Sequence, residues 1–222
     1  MKVELIRHTP NPEELCGEAA AICTAQTDYG KALRGALASG HESVIEHAVF
    51  TFRVEGVSRA LLAQITRHRL ASFSVESQRY VMGSGRSAVV PPGIEADIEL
   101  SGLYDYLQSE TARFYAICIR KGIPAEDARY GFLQGGGTKF IVTMNARELR
   151  HFFSLRCCNR AQWEIRALAD EMLRLCKAAA PGLFKDAGPG CVRGSCPEGN
   201  RTCGQPRKQM IEKMEEGATD GE

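Results

Sequence analysis

Between residues 67 and 80 the chain reads RHRLASFSVESQRY. Arg67, His68 and Arg69 stand together. Ser77 and Arg79 follow at the two-residue spacing that puts side chains on one side of an extended strand. Fixed positive charge at this density calls for an anion. Guanidinium forks match phosphate oxygens in a bidentate way, which an ammonium cannot do, and a hydroxyl with backbone N–H groups adds direction. The pattern suits a nucleotide phosphate. The competing interpretation is a solvated, charged helix end, the usual fate of an isolated RHR tripeptide.

A second constellation runs from Asn145 to Arg156, NARELRHFFSLR. Arg147 and His151 are four apart and share a helix face, whereas Arg156 comes nine positions after Arg147, about half a turn around. One helix can therefore serve two ligands or two subunits; the alternative is an exposed, salt-bridged helix. On the helix expected to end at Arg67, Gln64 and Arg67 share a face, while Arg67 and Arg69 point in nearly opposite directions. In GHESVIEH, His41 and His47 with Glu42 and Glu46 raise the question of a metal. The gap between the histidines straddles an expected strand start, so structural or cofactor-facing roles are preferred and no metal set is assigned.

These residues need a scaffold. Strands are expected at 3–6, 47–54 and 139–144, from β-branched and aromatic content and alternation. Helices are expected at 12–25 with Asn11 as N-cap, 29–38, 58–67 capped by Ser58, 97–121, from Pro124 toward Phe132, 145–156 capped by Asn145, and 162–178. Residues 71–85 look irregular, and Gly135-Gly136-Gly137 breaks the chain. From Pro181 the composition turns to Gly, Pro, Cys and charge, which reads as a loosely docked or disordered tail with a weak helix at 208–216.

Composition limits the possibilities. The chain has 222 residues, 44% of them apolar, enough for one large domain or two small ones. With 28 basic against 27 acidic residues the net charge is +1, which argues against a bulk nucleic-acid binder and makes the basic cluster a local, small-anion feature. No apolar stretch has membrane-spanning length, so no membrane partner is expected. The start, MKVELIRHTP, lacks a secretory h-region, and nine cysteines then read as reduced thiols in a cytoplasm.

Taken together, these segments resemble the flavin-dependent thymidylate synthases. The family signature is RHR, seven residues, then Ser, here Arg67-His68-Arg69 through to Ser77. The likeness extends to GHESVIEH, the strand at 48–54, Asp127-Ala128-Arg129, Asn145-Ala146-Arg147, Leu155-Arg156 and Ala161-Gln162-Trp163-Glu164-Ile165, over roughly residues 1–185. The resemblance implies a catalytic domain over 1–185 followed by a Gly/Pro/Cys-rich tail over 186–222. It implies an α/β fold of the α+β type, with a central, mostly antiparallel sheet flanked by long helices, and a homotetramer with active sites between subunits. The implied reaction is reductive methylation of dUMP to dTMP, with methylenetetrahydrofolate giving the carbon, FAD as redox cofactor and NADPH as reductant. Carried over by position, Gln64, Arg67, Val75, Glu76, Ser77, Gln78, Arg79, Arg129 and Arg156 hold dUMP. His41, Ser43, Arg67, His68, Arg69, Val75, Asn145, Arg147 and His151 contact FAD. Arg156 is the catalytic residue, set against the uracil to favour ionisation at N3, and no protein nucleophile attacks the pyrimidine. Two positions depart from the family pattern. Val75 stands where many members carry Glu or Gln, which keeps a backbone contact and loses a side-chain one. His151 stands where Asn is frequent.

Two rivals remain. Leu5-Ile6-Arg7-His8-Thr9 resembles the phosphohistidine motif of histidine phosphatases, with His8 as nucleophile, but that chemistry needs a late second histidine and none follows His151. Cys191, Cys196 and Cys203, spaced C-x4-C-x6-C, suggest a zinc-containing nucleic-acid module, with a fourth thiolate sought at Cys176; inert thiols or a disulfide are preferred. Cys157-Cys158 reads as small buried hydrophobes, and Trp163 as core or interface.

Overall fold

Period-two burial organises the sheet of this protein, seen here in a computed structural model that describes residues 1–80 and 88–207. Strand β2 (Val49–Ser58) turns Phe50, Phe52 and Val54 inward at 0% exposure, and β4 (Gly137–Asn145) does the same with Phe140, Val142 and Met144. With β1 (Lys2–His8) and β3 (Ala71–Val75) they make a four-stranded antiparallel sheet in the order β1-β2-β4-β3. Register shows in the Thr51 and Thr143 hydroxyls, 3.0 Å apart across β2 and β4. The helices and this sheet give the expected α+β fold.

The chain divides into two compact units: Met1–Lys2, Val54–Arg67 and Ser74–Ile141 form the first, and Val3–Arg53, His68–Phe73 and Val142–Glu222 the second. In the first, Ser58 caps α3 (Arg59–Ile65), its hydroxyl accepting from Leu61 N at 3.0 Å. A short helix, α4 (Pro92–Glu95), leads into α5 (Ile98–Arg120), started by the Asp97 carboxylate, which accepts from Glu99 N and Leu100 N at 3.0 Å each. Only Tyr115 of α5 is buried, stacked on Phe132 at 4.9 Å; Leu100, Leu103, Tyr106, Leu107 and Phe114 are exposed. Then come α6 (Ala125–Ala128) and a 3-10 turn at Arg129–Gly131.

The second unit holds α1 (Pro12–Thr24), α2 (Tyr29–Ala38), a 3-10 helix at Glu42–His47, α7 (Ala146–Arg156), α8 (Trp163–Ala179) and α9 (Pro181–Phe184). A Cβ at Gly17 would lie 2.6 Å from the Tyr29 carbonyl oxygen, so α1 meets the start of α2 only because residue 17 has no side chain. The core of this unit gathers Ile45, Phe50, Phe52, Leu149, Phe152, Phe153, Ile165, Leu168 and Phe184, all at 0% exposure.

Several expectations are corrected. The helix expected over 58–67 ends at Ile65, because Thr66 Oγ1 bonds back to Leu62 O at 2.9 Å and Arg67 N takes the tighter bond to Gln64 O at 3.4 Å. Arg67 and Arg69 therefore lie outside a helix, and the helical-face argument that pairs Gln64 with Arg67 does not apply. Residues 71–75, expected to be irregular, form edge strand β3, with Ala71, Phe73 and Val75 half-buried and the serines at 72 and 74 exposed. His47 closes the 3-10 helix instead of opening β2. Asn11 does not cap α1: it sits in left-handed conformation at φ 43° and its amide donates to Glu14 at 3.2 Å. Of the two readings of the tail, loose docking holds among the described residues: most of 193–206 is exposed, and the segment is anchored by Arg207, which is 4% exposed. The helix expected over 208–216 falls outside the described residues.

One joint in the second unit is testable. Buried Arg150 donates to both Asp186 carboxylate oxygens at 2.8 and 3.1 Å, to Glu42 at 3.0 Å and to the Leu183 carbonyl at 2.7 Å. It thereby ties the 3-10 helix and α9 to α7. Arg150→Ala is expected to lower unfolding free energy by about 1–3 kcal/mol in urea titrations, because the buried Leu183 carbonyl loses its donor and the joint to Asp186 and Glu42 is cut. Arg147→Ala, which removes an exposed pair with Glu46, is expected to leave the urea midpoint nearly unchanged.

Candidate active site

The RHR triplet alternates. Arg67 and Arg69 are exposed, and His68 between them is buried at 5%. His68 lies along α7, whose first turn is set by Asn145: its side-chain oxygen accepts from Glu148 N at 2.8 Å. Glu148, two turns before Arg156, meets His68 Nδ1 at 2.9 Å, while Arg156 Nε donates to His68 Nε2 at 3.1 Å. Since Nε2 accepts, the proton of a neutral imidazole sits on Nδ1 and is donated to Glu148. Burial pushes the His68 pKa below its ordinary value, against the pull of the Glu148 hydrogen bond, and the Arg156 charge adds to the lowering. Phe152 meets the imidazole edge-on at 5.0 Å and the His151 ring lies 5.9 Å away. A carboxylate, a neutral imidazole and a guanidinium thus form one line that fixes the orientation of Arg156.

Beside this line, Arg147 and Glu46 form an exposed ion pair, which raises the pKa of the Arg147 guanidinium through the Glu46 hydrogen bond. His41, Ser43 and His151 are also exposed. Deeper down, burial opposes the Arg150 charge, yet the Asp186 and Glu42 carboxylates outweigh it; in return the Arg150 guanidinium holds the Asp186 carboxyl below its ordinary range. Of the sequence-derived cofactor residues, His68 and Asn145 use their side chains within the protein, and Arg69, Arg147, His151, His41 and Ser43 face outward.

The first unit carries the other expected site residues. Arg79 pairs with Glu126 at 3.0 Å, and Arg129 Nε donates to the carbonyl of the same Glu126 at 3.1 Å, so one residue gathers both guanidiniums. Ser77 Oγ accepts from Arg79 N at 3.2 Å, Gln64 donates to Ala60 O at 3.3 Å, and the Glu76 carbonyl accepts from Arg59 at 2.7 Å. Val75 ends β3 half-buried, and Gln78 follows in the turn, half-buried as well.

A family model described as thymidylate synthase complementing protein matches residues 4–182. The chain belongs to that family. It is 49% identical to a flavin-dependent thymidylate synthase of Geobacter sulfurreducens, over 96% of this chain and 99% of the relative. Identity to the flavin-dependent thymidylate synthase of Clostridium tetani is 42% (92% of this chain, 94% of the relative), and to that of Pyrococcus furiosus 39% (89% and 90%). Family membership displaces the phosphatase reading, and His8 is an exposed strand-end residue stacked on Phe50 at 5.8 Å. Among the described residues no helix is long and apolar enough to cross a membrane.

Sequence reasoning missed the roles of Glu148 and Arg150, and it weighed Glu42 and Glu46 only beside the histidines of a metal set, whereas they pair with Arg150 and Arg147. Glu148 stands three residues after a capping Asn, where an acidic side chain looks like half of a capping box; only the tertiary fold turns it to His68.

The buried imidazole has a pH signature. A histidine whose folded pKa lies below its unfolded value of about 6.5 contributes stability that is fully present above that value and is lost as pH falls toward the folded pKa. Urea midpoints of the wild type are therefore expected to drop between about pH 7.5 and 5.5, and His68→Asn should flatten that slope. Parallel slopes for the two proteins would contradict a neutral buried His68.

Proposed function

We propose that this enzyme converts dUMP to dTMP by reductive methylation, with methylenetetrahydrofolate as carbon donor, FAD as redox cofactor and NADPH as reductant. One observation carries the reading: the buried Glu148–His68–Arg156 line, which joins the RHR signature to the end of α7. A guanidinium held through Nε by a neutral imidazole keeps its charge and its orientation. Set against a uracil ring, it stabilises negative charge at N3 and O2 as the pyrimidine ionises and pushes electron density toward C5. Arg156 is the catalytic residue in this reading; His68 and Glu148 are positioning residues.

The donor set fits a flavin dinucleotide. Outward arginines at 69 and 147 offer charge-assisted bonds to a pyrophosphate, Ser43 offers a hydroxyl, and the His41 and His151 imidazoles offer ring-facing contacts. When bound, the flavin supplies the electron and carbon transfer. Arg79 and Arg129, gathered at Glu126, suit the nucleotide phosphate, with Ser77 and Gln78 giving direction and Gln64, Arg67, Val75 and Glu76 completing the dUMP set. Cys157 supports a reaction without a protein nucleophile. Although next to Arg156, it is fully buried, and burial pushes its thiol well above the ordinary range. The exposed apolar side chains of α5 support self-association, for which a homotetramer is the proposed form. Reduced thiols fit a cytoplasmic setting.

The test follows the flavin band of purified protein while dUMP and NADPH are added anaerobically, then measures dTMP after methylenetetrahydrofolate is supplied. Bleaching followed by dTMP is expected. Arg156→Ala should retain flavin and lower turnover by about 10²–10³-fold. Arg79→Ala should chiefly weaken dUMP binding. A dUMP adduct on any cysteine, or the absence of dTMP from the wild type, would sink the reading.

A further inference from the structure

We propose that Cys158, Cys191, Cys196 and Cys203 are the ligands of an iron–sulfur cluster. All four line a single cavity of about 330 Å³ in the second unit, just beyond the C-terminus of α7. The fourth thiol is Cys158 and not Cys176, which is fully buried in α8 and does not line the cavity.

The cavity is built, and its wall is pinned at several points. Arg207 donates to both carboxylate oxygens of Asp170 at 2.8 and 2.9 Å and also to the Cys157 carbonyl. Asn159 donates to the Gln205 carbonyl at 2.9 Å, and Arg160 pairs with Glu198 at 3.5 Å. A Cβ at Gly190 would lie 2.6 Å from the Pro197 ring, so the loops carrying Cys191 and Cys196 are pressed together. All nine cysteines are free thiols, so no disulfide accounts for this convergence.

Two backbone N–H groups aim at sulfur. Gln205 N donates to Cys203 Sγ at 3.4 Å and Arg207 N to Cys191 Sγ at 3.5 Å, and the Asn159 amide approaches Cys203 Sγ at 3.8 Å. Such donors favour the thiolate and are the contacts that tune iron–sulfur centres. Arg160 and Arg207 also line the cavity, held there by their pairs with Glu198 and Asp170.

Size decides between one ion and several. A zinc ion draws four thiolates to about 2.3 Å, with sulfurs roughly 3.8 Å from one another and no room between them. Among the described residues no three His, Cys, Asp or Glu side chains converge closely enough to hold one ion. Four cysteines lining one cavity of about 330 Å³ suit a polynuclear centre, which fills the space between its ligands with its own iron and sulfide. A preassembled thiolate-ligated cluster is transferred by ligand exchange without change of oxidation state: each cysteine S–Fe bond replaces an S–Fe bond to the donor's thiolate, which takes the cysteine's proton and leaves as a thiol. Bound there, the cluster fastens the 190–207 segment to the end of the helix that carries Arg156.

The full chain is to be purified anaerobically and incubated with a preassembled, small-thiolate-ligated four-iron–four-sulfide cluster, then freed of excess cluster by desalting. About four iron and four acid-labile sulfide per chain are expected, with an EPR signal after dithionite reduction broader than that of a flavin radical. Cys196→Ser and Cys203→Ser should each lose at least half of the iron and the broad signal, with far-UV circular dichroism and flavin content unchanged. Cys23→Ser, at an exposed thiol of α1, should change nothing. One zinc without labile sulfide, a metal-free disulfide, or iron unaffected by either serine substitution would overturn the proposal. The wild-type stoichiometry alone decides it should the variants fail to fold. Iron and sulfide are read independently of thymidylate synthesis.

Discussion

A buried imidazole must settle on one protonation state, and in this protein that choice governs the site. His68 receives a guanidinium N–H on one nitrogen and offers its own N–H to a carboxylate on the other. A charged imidazolium would lose hydration and face Arg156 with a second positive charge, and this outweighs what the Glu148 bond returns. A neutral ring accepts Arg156 as a partner. The triplet RHR thus divides: its flanking arginines stay exposed, and its histidine becomes part of the fold that orients a third guanidinium.

The rest of the second unit supports this line. Asn145 starts α7 at the residue that lets Glu148 face His68, while Arg150, one turn from the cap, faces the opposite side and collects Glu42, Asp186 and Leu183. A single helix therefore serves the imidazole with one face and anchors the GHESVIEH segment with another. Three arginines and a histidine in eleven residues would crowd positive charge in an isolated peptide. Here Glu46 pairs with Arg147, Glu42 and Asp186 with Arg150, and His68 accepts from Arg156, which makes the density tolerable.

Much of this was legible in the sequence where local chemistry decides. Ser58, Asp97 and Asn145 announce helix starts, and all three cap as short polar side chains do. Alternation in VFTFRV and KFIVTM gave β2 and β4. The family was readable because several motifs occur in order. What stayed hidden depends on distant partners. Nothing in ASFSV declares an edge strand until β4 is beside it. Nothing in the Gly- and Cys-rich tail shows that Arg207 reaches back to Asp170, so composition alone left loose docking and disorder both open. Glu148 looked like a helix-start residue because the histidine that claims it lies eighty positions earlier.

The two joints of α7 also differ in what can undo them. A guanidinium holds its proton throughout the range in which proteins survive, so alkali cannot release the clasp around Arg150. Acid reaches that clasp only by protonating Asp186, whose carboxyl is already held below its ordinary range. The imidazole joint depends instead on a ring that titrates, below the ordinary histidine value. Acid therefore reaches the aim of Arg156 and the platform carrying GHESVIEH through different groups.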